Sequence, residues 1–283
     1  MKKYSETAMK YIFMASATVS IIAVVVICVF LFSKGFPTIA EIGVFNFLGG
    51  TVWKPLEGHF GIFPMIVGSI YVTAGAIILG VPIGILCAVF MARFCPPKLY
   101  KILKPAVDLL AGIPSIVYGF FALMVIVPVM QDIFGGSGKG ILTASILLAI
   151  MILPTIIGVA ESALRAVPES YYEGSLALGA THERSVFFTL LPAAKSGILA
   201  GVILGIGRAI GETMAVVYIA GNQPILPDSI LSGVRTMTAN IVLEMGYAAD
   251  GIHRNALIAT AVVLFVFILI INLSFSLLRR RND

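Results

Sequence analysis

Apolar runs of about twenty residues recur along the whole chain, separated by stretches that gather its prolines, glycines and charges. At about 1.5 Å per residue, a run of that length matches a hydrocarbon core about 30 Å thick. The pattern predicts membrane-spanning helices over 12–33, 64–92, 115–131, 141–160, 197–220 and 256–277. Barrel strands would need only about ten residues with alternating polarity, which is not the pattern of these uniform runs. Six spans return the chain to its starting side, so the expected fold class is an all-α membrane protein. The first run is too long for a signal peptide and lacks a clear small-x-small cleavage site before Ser33, so it reads as an uncleaved anchor.

Composition agrees with the pattern. Of 283 residues, 59% are hydrophobic and 12% charged, and the mean hydropathy is +1.04, beyond the usage of soluble domains. Cys28, Cys87 and Cys95 are an odd number without a C-x-x-C pair, which argues against a disulfide framework and a zinc site. His59, His182 and His253 are scattered without metal-ligand spacing. The net charge of +5 does not point to nucleic acid, because the basic residues flank the spans and report topology.

One side of the expected topology holds Lys2, Lys3, Lys10, Arg93, Lys98, Lys101, Lys104, Arg165, Arg184, Lys195, Arg279, Arg280 and Arg281. The other holds Lys34, Lys54, Lys139, Arg235 and Arg254. By the positive-inside rule both termini are cytoplasmic, and loops 34–63 and 221–255 face outward. VRTMTANIVLEM is expected as a short helix at the outer membrane surface. On the inner side, KLYKILKPAVDLLAGIP (98–114) spaces its apolar residues as an amphipathic helix lying in the interface plane. The loop 161–195 reads as two short helices meeting at Gly179, the first opened by Pro168 and Glu169, the second by Thr181 and Glu183.

The chemistry sits in LGIGRAIGETMAV (204–216). Counted from Gly197, Arg208 lies about 16 Å and Glu212 about 22 Å along a helix, deep in the core. A charge there costs about 2.5–3.5 kcal/mol even on a lenient insertion scale. Four-residue spacing would put the two side chains on one face, where they can form a purely structural pair. Gly201, Gly205 and Gly211 are expected near that face, with Ile203, Ile206, Ile210, Met214 and Val217 on the other, leaving room for a partner that is not protein. A guanidinium suits an oxyanion. A neighbouring glutamate would accept a hydrogen bond from a protonated one, favouring phosphate over sulfate. GGSGKG (135–140) lacks the spacing of a phosphate loop, and GIGRAIG follows no strand, so neither is a nucleotide motif. Any ATP energy then comes from another subunit.

EGSLALGATHERSVFFTLLP (173–192) resembles the signature of binding-protein-dependent ABC importer permeases, with Glu173, Gly179, Leu191 and Pro192 in place; Gly174, Ser175 and Thr189 depart from it. LAGIPSIVYGFF, GRAIGETMAVVYIAGN and the early FLGGTVWKP string resemble the PstC-type permeases of phosphate-specific importers. The resemblance implies a type I permease bundle with cytoplasmic coupling helices, divided as an anchor with outer loop (1–63) and a permease domain (64–283) carrying the coupling loop 161–195. It implies a second permease of PstA type, an ATPase dimer of PstB type holding ATP and Mg, and an extracytoplasmic phosphate-binding protein of PstS type. No cofactor is expected on this chain, nor a nucleic-acid partner; membrane lipid and phosphate are. Arg208 and Glu212 match the family's charged membrane motif, and Arg235 is a candidate contact for the binding protein. Alternatives are a permease for sulfate, molybdate or phosphonate, a secondary anion carrier, and a membrane scaffold or sensor.

Overall fold

The computed structural model describes residues 2–280. Arg281, and the side chains of Lys2, Lys3, Arg279 and Arg280, lie outside the described residues. The first helix, α1 (Lys2–Ile42), runs past the expected end of its span, through Lys34 and Pro37. Its extension packs on the last helix: Phe32 stacks on Phe36 at 5.2 Å and meets Phe265 edge-on at 5.7 Å. The expected outer loop 34–63 is therefore part helix. It continues as α2 (Val44–Gly49) and a two-stranded hairpin, β1 (Trp53–Lys54) with β2 (His59–Phe60), turning at Pro55–Glu57.

The next two spans come close to their expected bounds. α3 (Phe63–Val89) ends in a π turn reaching Phe94, and the amphipathic α4 (Pro97–Gly112) follows. α5 (Ser115–Phe121), a π turn and α6 (Val127–Phe134) form one apolar segment. α7 (Ile141–Ala166) outruns its expected end by six residues and takes Glu161 with it. The coupling loop folds as anticipated: α8 (Glu169–Ala177) and α9 (His182–Ser185) flank Gly179, whose φ of +84° suits glycine. A π turn and α10 (Leu191–Ala193) then lead through a 70° elbow into α11 (Lys195–Gly211).

The expected unbroken helix 197–220 is not found. It divides at Glu212 and Thr213, and α12 (Met214–Ile219) starts anew. α13 (Met237–Met245) is the anticipated short helix of the loop 221–255. It buries Met237, Thr238, Ala239, Asn240 and Glu244 against the bundle. α14 (Ile252–Arg280) closes the fold. Among the described residues, five helices are long and apolar enough to cross a membrane, or six if the bent pair ending in α11 forms one span.

α7 is the buried centre, gripped between α3 and α11. Water drives no association between apolar helices in lipid, so close backbone approach and interhelical hydrogen bonds must hold them. Ile156 fits between Gly84 of α3 and Gly205 of α11, where added Cβ atoms would lie 2.8 and 2.9 Å from its side chain. Ser145 Oγ donates to the Val72 carbonyl at 3.2 Å, tying α7 to α3. Gly201 and Gly205 are therefore packing glycines against α7; their helical spacing serves a seam rather than the open space anticipated around Arg208.

This seam sets a testable limit. Gly205→Leu forces a side chain into the Ile156 contact and is expected to cost about 1–3 kcal/mol as overpacking. Thermal unfolding of the purified protein should show a lowered Tm, whereas Gly158→Ala, with nothing within 4 Å of its Cβ position, should leave it near the parent value.

Candidate substrate path and coupling loop

Arg208 stands in the last turn of α11, half-buried. One terminal nitrogen donates to Thr155 Oγ1 of α7 at 3.4 Å. Among the described residues no carboxylate lies within ion-pair distance of it, so the purely structural pair with Glu212 that the spacing would allow is absent. A guanidinium has five donors, and one long bond to a neutral hydroxyl leaves most of that capacity for something else. Gly207 and Gly211 border it, and a Cβ at either would meet nothing within 4 Å. These two, rather than Gly201 and Gly205, supply the expected room. The apolar face holds as far as Ile206 and Ile210, which pack towards α14 with Val202, but Met214 and Val217 lie beyond the break.

Glu212 makes the break. Its backbone is extended, with φ −67° and ψ 131°, so it cannot sit one helical turn above Arg208. Its Oε1 accepts from the backbone N–H groups of Thr213 (3.1 Å) and Ala215 (3.2 Å), satisfying donors that the start of α12 would otherwise orphan. Thr238 Oγ1 of α13 donates to the Glu212 carbonyl at 3.0 Å, and Thr213 Oγ1 to the Gly211 carbonyl at 3.1 Å. Half-helices with irregular backbone survive at membrane depth only where protein or a polar path satisfies them. A nearby cavity of about 330 Å³, lined by Leu110, Ile113, Val117, Tyr118, Phe121, Leu147 and Ile150, carries no charged side chain. It offers nothing to an anion.

Arg235, the candidate contact for the binding protein, is not a free cation. Its guanidinium is spent inside the chain, on Glu244 at 2.6 Å, Asn240 Oδ1 at 3.1 Å and the Asn222 carbonyl at 3.0 Å. Glu244, 5% exposed, also accepts from Trp53 Nε1 at 2.8 Å and contacts His253 Nε2 at 2.9 Å. This network joins the hairpin, α13 and α14. The sequence reading missed Glu244 because its partners lie up to 191 positions away.

On the coupling loop, Glu173 and Gly179 are exposed, with Leu178 almost fully so at 91%. Leu191 is partly buried against the cytoplasmic cluster, and Pro192 opens onto the surface at the start of α10. The four signature residues thus share one element but face different surroundings. The loop is braced from behind: Tyr172 Oη meets His182 Nδ1 at 2.7 Å, Arg93 pairs with Glu169 at 3.0 Å, and Phe94 packs edge-on to His182 at 4.7 Å.

Residues 80–283 match the family model described as binding-protein-dependent transport system inner membrane component. The probable ABC transporter permease protein YqgH of Bacillus subtilis is 38% identical over 280 residues, covering 95% of this chain and 91% of that protein. The phosphate transport system permease protein PstC of Mesorhizobium japonicum is 33% identical over 265 residues, covering 87% and 81%. The chain of a bacterial alginate ABC transporter superposes with TM-score 0.66 at 14% identity, covering 99% of both chains. An inward-facing MetNI methionine ABC transporter gives 0.61 at 20%, covering 82% and 100%. The helix order with its braced two-helix inner loop, and a sequence match over most of the chain, lead to one conclusion: this protein belongs to the inner-membrane components of binding-protein-dependent transport systems.

Proposed function

We propose that the chain is a permease subunit of an ATP-driven importer that carries inorganic phosphate into the cytoplasm by alternating access. The observation that carries this reading is Arg208, a permanently charged guanidinium in a membrane helix with no carboxylate partner among the described residues and two open glycines beside it. Relatives named as phosphate permeases support the choice of oxyanion. Arg208 binds the passing anion. Glu212 holds the α12 start with Oε1, which leaves Oε2 to accept from a protonated phosphate.

The chain works with a PstA-type second permease, a PstB-type ATPase dimer and a PstS-type extracytoplasmic phosphate-binding protein. ATP and Mg act on the ATPase, and this chain carries no ATP site of its own. Both termini face the cytoplasm. Closure of the ATPase dimer pushes α8 between Glu173 and Gly179, and the 70° elbow hands that push to α11. Leu191 and Pro192 form the fixed end of the lever.

Three outcomes test the reading in vesicles holding the assembled complex. Arg208→Ala should abolish phosphate uptake while the subunits still copurify; normal uptake would remove Arg208 from the path. Glu212→Gln keeps a cap acceptor and loses the charge, so the preference for phosphate over sulfate should fall in competition uptake, and an unchanged preference would deny Oε2 its role. Gly179→Val places a β-branched residue at positive φ, costing about 1–2 kcal/mol, and should weaken ATPase copurification or uncouple hydrolysis from uptake.

A further inference from the structure

Glu161 has no part in the substrate path, yet it is 2% exposed near the cytoplasmic end of α7. Groups from two elements converge on it. Tyr100 Oη of α4 donates at 2.6 Å and Arg165 Nε at 2.9 Å, both to Oε1, while Lys104 Nζ of α4 forms an ion pair with Oε2 at 3.3 Å. Tyr100 and Lys104 are four residues apart, so one face of α4 is clipped to one carboxylate. Arg165 also donates to the Met91 carbonyl at 2.9 Å and lies over the Tyr100 ring at 4.5 Å. The Glu161 hydrogen bond, with burial, raises the Tyr100 pKa and keeps its hydroxyl a donor. Burial opposes the Lys104 charge, but Glu161 and Asp108 outweigh it and raise that pKa.

The position of this cluster gives it a use. Five residues beyond Glu161, α7 ends, and Val167 and Pro168 lead into α8. At the far end of α4, Tyr118 Oη of α5 donates to the Leu110 carbonyl at 2.9 Å. α5 packs on α12, where a Cβ on Gly119 would lie 2.8 Å from the Ala215 backbone. α12 begins at the break beside Arg208. From these contacts we infer that Glu161 is a positioning residue, the clip through which a displaced coupling loop moves α4 and, through it, the α12 side of the path. The inference rests on the ATP-driven reading above.

The test uses the complete complex of both permeases, the ATPase and the binding protein in vesicles. Glu161→Gln keeps an acceptor for Tyr100 but removes the charge holding Lys104 and Arg165. ATP should still alter backbone hydrogen exchange in α8, whereas the ATP-dependent change over 97–112 is lost and phosphate moved per ATP falls below the parent ratio. An undiminished response of α4, or an unaltered phosphate-to-ATP ratio, overturns the inference. If Glu161→Gln does not assemble, Lys104→Met is compared with Lys104→Arg: loss of the α4 response in the first and retention in the second supports the clip, and equal behaviour overturns it. The exchange readout needs no transported anion. A parent complex that shows the α4 response but carries no phosphate would therefore count against the phosphate reading alone.

Discussion

Hydrocarbon offers no hydrogen bonds, so every polar group buried in this bundle must find its partner within the protein or in what passes through it. Three carboxylates meet that demand where elements join. Glu161 gathers α4 and α7 at the cytoplasmic end. Glu212 turns its oxygen onto backbone donors at the start of α12. Glu244 collects Arg235, Trp53 and His253 at the outer end. Such buried pairs are weak evidence of net stability, yet removing one partner typically costs about 3–5 kcal/mol. Their effect is to fix which elements meet, and where.

Arg208 stands outside this pattern. Among the described residues its side chain bonds only the neutral Thr155 hydroxyl, at 3.4 Å, long for a charge-assisted hydrogen bond. A bundle that gives three acids several donors each leaves this base undersupplied with acceptors. Gly207 and Gly211 leave open space beside it, where a Cβ would meet nothing within 4 Å.

The periodicity of apolar residues made the spans legible, and the depth of Arg208 singled it out before any coordinates. The coupling loop was equally plain, because Pro168, Gly179 and Thr181 act locally through φ restriction, positive φ and capping. What escaped was decided at a distance. The break at Glu212 is hidden by an apolar period that continues through Met214, and it is secured by Thr238 from another helix. Glu161 lies one residue past an expected span end that the helix outruns by six, although its i,i+4 relation to Arg165 is visible in the sequence. The partners of Arg235 are not legible in the sequence because Glu244 and Asn222 reach it only after the loop 221–236 has folded.

The break also settles how the two charged groups can move. In an unbroken helix, Arg208 and Glu212 would keep a fixed separation of one turn. Here Arg208 belongs to α11, which is seamed to α7 through Ile156 and bonded to it through Thr155. Glu212 stands in the break, its side chain on the start of α12 and its carbonyl bonded by Thr238 of α13. The two side chains are tied to different helices, so a relative shift of those helices changes their separation. Packed helices move as units rather than deforming continuously. Any shift of α11 along α7 would therefore carry Arg208 with it, and Glu212 only through the contacts that hold α12.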